Sequence, residues 1–141
     1  MYTYNPKWKK LKLIVKQLKS PPGLTKIPDS LFTSFNYFEA LFHNTKQNTV
    51  LLMDAEGIIT EVNTAFTNCF GYTREEIIGK NLKILFTEED QQKGLPQREL
   101  YKVLTEGQSS DNNYLVNEDK TLVWVSGESI LVTNKEETSV F

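Results

Sequence analysis

The sequence predicts an α+β domain, a five-stranded antiparallel sheet with short helices on one face, preceded by amphipathic N-terminal helices. Three observations carry this prediction. Strand-like runs at residues 49–54 and 58–62 flank the turn Ala55-Glu56-Gly57, which reads as a β-hairpin. Short helical segments punctuated by glycine and proline fill residues 63–106. Three further strand-like runs follow, at 108–116, 121–133 and 138–141, separated by Asn117-Glu118-Asp119-Lys120 and Asn134-Lys135-Glu136-Glu137. Strands on both sides of a helical cluster bury their apolar rows by packing as one sheet with the helices against it.

The first 28 residues hold seven lysines and no acid, whereas the remaining 113 hold nine basic and eighteen acidic residues. This asymmetry marks a boundary that the net charge of −2 conceals. Between Pro6 and Ser20, apolar residues recur at Trp8, Leu11, Val15 and Leu18 among lysines, which predicts a basic amphipathic helix. Ser20-Pro21-Pro22-Gly23 ends it, so residues 1–28 read as a basic helix and linker. Lysines on such a helix read as solvated surface, with binding to an anionic membrane or to nucleic acid as the lesser reading.

Pro28-Asp29-Ser30 opens a second helix, at residues 29–46, with Leu31, Phe32, Phe35, Phe38, Leu41 and Phe42 on one stripe. An aromatic stripe of this size has to be covered. It predicts a homodimer interface made by Leu31, Phe35, Phe38 and Phe42 with Trp124; the competing reading folds the helix back over its own sheet. Residues 47–141 are then the main domain. Within it, Asn63 or Thr64 caps a helix ending at Gly71, and Thr73 with Glu76 has capping-box spacing before Gly79. Residues 81–86 form an apolar turn. Acids at 88–90 favour a helix start, Gly94 and Pro96 interrupt, and a regular helix runs from Gln97 to Thr105 with Leu100, Val103 and Leu104 inward.

At 141 residues, with 39% hydrophobic and 24% charged, the chain is suited to one core. Cys69 is the single cysteine, which excludes an internal disulfide and a zinc site and fits a reducing, cytoplasmic setting. No apolar run is long enough to span a bilayer. With one histidine, His43, there is no catalytic triad, no metalloprotease motif and no phosphate-binding loop. His43 reads as a helix-end surface residue, and Cys69, beside Phe66 and Phe70, as an inert buried thiol. The chain is therefore expected not to be an enzyme.

The run Asp54-Ala55-Glu56-Gly57-Ile58-Ile59, Asn63, Phe66 and Gly71-Tyr72-Thr73-Arg74-Glu75-Glu76-Ile77-Ile78-Gly79-Lys80 resembles the core signature of PAS domains, and Asp119-Lys120-Thr121-Leu122-Val123-Trp124-Val125 is similar to the family's penultimate strand. The resemblance covers about residues 42–141. It implies a sensory or regulatory module of a signal-transduction protein, such as a histidine kinase, that binds a small ligand or partner and relays a conformational change through a dimer to an output domain in a longer parent. The alternative is a ligand-free interaction domain. The stop at Phe141 predicts a truncated last strand.

Gly57, Gly71, Gly79 and Asn63 have local backbone reasons to be what they are. The family's flavin photosensors carry a reactive cysteine where this chain has Leu82, and no histidine lies between Thr87 and Glu106 to ligate haem. No cofactor is expected. The resemblance implies a ligand pocket lined by Phe66, Leu85, Leu100, Val103, Leu104, Val123 and Val125.

Overall fold

The computed structural model describes residues 3–17, 37 and 39–133. Strand β1 is Thr3–Gln17, followed by a helical segment at residues 39–44 (α1), β2 (Asn48–Met53) and β3 (Ile59–Val62). Helices α2 (Thr64–Phe70) and α3 (Arg74–Ile77), a 3₁₀ turn at Leu82–Leu85, and helices α4 (Glu88–Gln92) and α5 (Leu95–Glu106) form the helical layer. Strands β4 (Gln108–Val116) and β5 (Thr121–Thr133) close the order.

The strands form two antiparallel pairs, β2 with β3 and β4 with β5. These pairs are not hydrogen-bonded to each other. Strand β1 lies between them and runs parallel to β2 on one side and β5 on the other, giving the order β3-β2-β1-β5-β4. This corrects two expectations. The sheet is not five antiparallel strands: the run at 138–141 lies outside the described residues, and the N-terminal segment stands at the centre. Nor does that segment form the basic helix expected for residues 6–20.

The physical reason is visible in Lys10-Leu11-Lys12-Leu13-Ile14-Val15-Lys16, which alternates apolar and polar through most of its length and carries β-branched residues. An isolated helix of this length is marginal in water, whereas two open strand edges offer hydrogen bonds along both sides of an extended chain. The β1–β5 register shifts between Asn5 and Lys9, around Pro6, which has no amide to donate to a ladder.

Elsewhere, local chemistry sets the boundaries. Asn63 caps α2 by accepting from the Phe66 amide, and Gly71, at φ +81°, ends it in the left-handed region. Thr73 and Glu76 form the expected capping box, with Thr73 accepting from the Glu76 amide and donating its own amide to the Glu76 carboxylate. Gly94 and Pro96 do separate two helices, but α5 begins at Leu95, because proline is tolerated in a first turn.

The helices cover the inner face of the sheet. Leu51, Met53, Ile59, Val62, Phe66, Phe70, Ile77, Leu85, Val103, Val123 and Val125 are buried there in one cluster. On the outer face, Phe42 of α1 packs with Val50 and Leu52 of β2.

Candidate functional site

The candidate site is the polar end of the inner face, where α5 crosses β4 and β5. Side chains alternate across a strand, so one face of β4 carries Ser109, Asp111, Asn113 and Leu115, and the adjoining row of β5 carries Val125, Gly127 and Ser129. These residues, with Leu82, Phe86 and Glu99, line a cavity of about 20 Å³. That is room for one water-sized group. Outside it lies a groove of about 380 Å³ along α5, lined among others by Leu95, Arg98, Tyr101, Lys102 and Ser110. Glu99, Ser109 and Asp111 border both spaces and form the wall between them.

Helix α5 carries Glu99 one position before Leu100 and four before Val103, on the edge of its buried stripe. Burial pushes the Glu99 carboxyl up to about 8, helped by a side-chain hydrogen bond with Asp111 and by the charges of Asp111 and Asp90. These influences favour the protonated form of Glu99, whose Oε1 accepts from the Asn113 Nδ2 at 3.5 Å. Ser109 and Ser129 are 8% and 6% exposed. The arrangement presents hydroxyl, amide and carboxyl groups to one small space and suits recognition of a polar group.

Six of the seven pocket residues named from sequence do not line this cavity. Phe66, Leu85, Val103 and Val123 are buried in the packed core, and Leu100 and Leu104 pack against it. Val125 alone of the seven lines the cavity. The polar residues were legible in one respect: the strand Gln108-Ser-Ser-Asp-Asn-Asn-Tyr-Leu-Val116 has no apolar residue on either face over its first six positions. A paired strand of this kind, placed against a helical layer, turns a polar row toward it, here buried Ser109, exposed Asp111 and half-buried Asn113.

Of the interface candidates, Leu31, Phe35 and Phe38 lie outside the described residues. Phe42 is 6% exposed and turned onto its own sheet, with His43 edge-on to its ring at 5.0 Å. Its neighbour Leu41 is 72% exposed. Trp124 stacks edge-to-face on Tyr114, centroids 4.9 Å apart, as a cross-strand pair. Cys69 is half-buried against the core.

Near His43, Arg74 forms a two-pronged ion pair with Glu61, both contacts at 2.7 Å, and this hydrogen bonding holds the Glu61 carboxyl below its ordinary value. Among the described residues, no three side chains of metal-ligating type come together, and no helix is long and apolar enough to cross a membrane.

Comparison with known proteins gives the same fold. A domain of the sensory box sensor histidine kinase/response regulator from Geobacter sulfurreducens aligns with TM-score 0.61 at 23% identity, over 68% of this chain and 82% of that one. The PAS domain of an HTR-like protein from Haloarcula marismortui aligns with TM-score 0.54 at 24% identity, over 68% and 77%. The PAS domain, in complex with ethanol, of a LuxR-family transcriptional regulator from Burkholderia thailandensis gives TM-score 0.52 at 18% identity, over 62% and 75%. In sequence, the chain is 30% identical over 96 residues to Two-component system protein A of Emericella nidulans, a match covering 68% of this chain and 14% of that protein's length. Residues 47–141 match the PAS domain family as a whole, and the chain belongs to that family.

Proposed function

We propose that the chain is a non-catalytic sensory module of a two-component signalling protein, and that the cleft between α5 and β4–β5 is where it takes up a small ligand. The observation that carries this reading is the polar lining at one end of the inner face: buried Ser109 and Ser129, half-buried Glu99 and Asn113 and exposed Asp111 border a small cavity beside a larger groove. Polar groups in an interior are costly without partners, so a row of them kept against a helix favours a site over a packed core. The Burkholderia domain, which holds ethanol, is a precedent for a small polar ligand in this fold. A ligand that binds one arrangement of α5 better than another shifts the population by that difference in affinity, and a dimer passes the shift to an output domain. Leu41, exposed beside the inward Phe42, is the described residue best placed for that dimer.

Mass measurement of the intact protein under native conditions tests the proposal. Retained small-molecule mass that disappears on denaturation is expected. A clean polypeptide mass in a stable dimer overturns ligand sensing and supports the second reading, a ligand-free interaction domain.

A further inference from the structure

A separate groove, of about 430 Å³, opens where the 3₁₀ turn and α4 meet the end of β4 and the turn into β5. It shares only Phe86 with the lining of the small cavity and no residue with the groove along α5. Its apolar lining is Phe86 and Val116, both buried, and half-buried Ile84. Its charged lining is Lys80, Lys83 and Lys120, all exposed, with Glu88 as the single acid. Residues 29–141 hold nine basic and eighteen acidic side chains, and three of the nine come together here. Elsewhere Arg74 pairs with Glu61 and Lys93 with Glu89, whereas none of these three lysines forms an ion pair with a described residue. Like charges gathered at one cleft repel one another and concentrate a field that favours an anion.

The three lysines stand on backbone that other contacts hold in place. The Lys80 carbonyl accepts from the Ile59 amide of β3 at 2.8 Å, and the Lys83 amide donates to the Asn81 side chain at 3.0 Å. The turn that carries Lys120 is tied to the end of α2, where the Glu118 amide donates to the Phe70 carbonyl at 2.8 Å. Among the described residues, Lys120 alone has a positive φ, +68°, without being glycine. Glycine takes that conformation without strain, and the bond from the Lys120 amide to the Asn117 carbonyl needs no side chain. What lysine adds at this position is an ammonium group at the groove.

We propose that this groove docks a short acidic segment of a partner protein, its carboxylates meeting Lys80, Lys83 and Lys120 and an apolar side chain between them lying on Ile84, Phe86 and Val116. An ammonium group is a compact point charge without the fork of a guanidinium, and it suits carboxylates spaced along a flexible chain. Two features favour a peptide over a nucleic acid. The apolar lining matches an aliphatic or aromatic side chain, which a sugar-phosphate backbone lacks. The surrounding body carries twice as many acids as bases, so a polyanion running past the groove meets repulsion that a short segment escapes. The volume is that of a ligand-sized cleft and holds a few residues.

Fluorescence anisotropy of the full chain with a fluorescein-labelled octapeptide of alternating glutamate and leucine tests this. The expected result is saturable binding that weakens roughly tenfold as salt rises from about 50 to about 300 mM. The triple variant Lys80→Gln, Lys83→Gln, Lys120→Gln should bind roughly tenfold more weakly with an unchanged urea midpoint, because exposed ion pairs add little singly and act here together. Lys120→Gly should weaken binding without lowering that midpoint, which separates a docking role from a structural one. The charge-reversed variant Lys80→Glu, Lys83→Glu, Lys120→Glu should lose the acidic peptide and accept its lysine and leucine counterpart. Equal affinity of wild type and the triple glutamine variant overturns the proposal, as does equal binding of a glutamine and leucine peptide, or no saturable binding. A thymidine oligonucleotide that binds more tightly than the peptide and is lost in the triple variant also overturns it, in favour of nucleic acid. The reading of the α5 cleft stands or falls separately, on the native mass.

Discussion

The two antiparallel pairs of this sheet face the same helical layer and meet it in opposite ways. The inner face of β2–β3 is Leu51, Met53, Ile59 and Val62, all essentially inaccessible and locked against Phe66 and Phe70. The inner face of β4–β5 is apolar only where it approaches that core, at Leu115, Val123 and Val125, and turns to serine, aspartate, asparagine and glycine beyond it. One half has the composition of a core, and the other that of a site. The difference shows where apolar packing is concentrated and where polar side chains take its place.

The most severe way to break the comparison is Phe66→Ala. Removing a fully buried ring from the apolar half should lower stability by about 3–5 kcal/mol, enough to leave a domain of this size largely unfolded, as read from urea denaturation midpoints. Asn63→Ala should come next. Although polar, Asn63 belongs to the apolar half: its Oδ1 accepts from the amides of Val50 and Phe66, both at 3.0 Å, and its Nδ2 donates to the Asn48 carbonyl at 2.8 Å. Its loss strands buried backbone groups in β2 and α2 and should cost about 2–4 kcal/mol by the same measurement.

The polar half responds to pH instead. Because the folded-state value of Glu99 is raised to about 8 from 4.5, the protonated group stabilises the fold fully below about pH 4.5, and this contribution is lost as pH rises through 8. Glu99→Gln should remove that slope. We expect the variant to gain on the order of 2 kcal/mol relative to wild type between pH 5 and pH 8.5, a value set below the full linkage because the groove admits water. Parallel curves for the two proteins in thermal denaturation at both pH values would refute this.

Gly127→Ala should have the smallest effect on stability, within about 0.5 kcal/mol, since the added methyl makes ordinary contact and narrows the cavity. A loss comparable to that of Phe66→Ala would show that the polar half is packed as tightly as the apolar one.

Much of the fold was legible because it is written in local chemistry. Strands β4 and β5, the Asn63 and Thr73 caps and the glycine stops depend on residues within a few positions of each other, and each stands where the sequence places it. Of the pocket residues that the family resemblance implies, Phe66, Leu85, Val103, Val123 and Val125 belong to the buried core cluster, and Leu100 and Leu104 pack against it.

The amino-acid sequence by itself determined the hairpins, the short helices, their caps and the family signature, since hydrogen bonds between near neighbours and the alternation of side chains need no distant partner. Tertiary structure alone decided the rest. Residues 3–17 satisfy two periodicities on paper, and the open edges of β2 and β5 select the extended one by offering backbone partners on both sides. Glu99 and Asp111 are twelve positions apart and unremarkable in the chain; packing of α5 on β4 sets Glu99 beside Asp111 and desolvates the Glu99 carboxyl, and that desolvation gives Glu99 its chemistry.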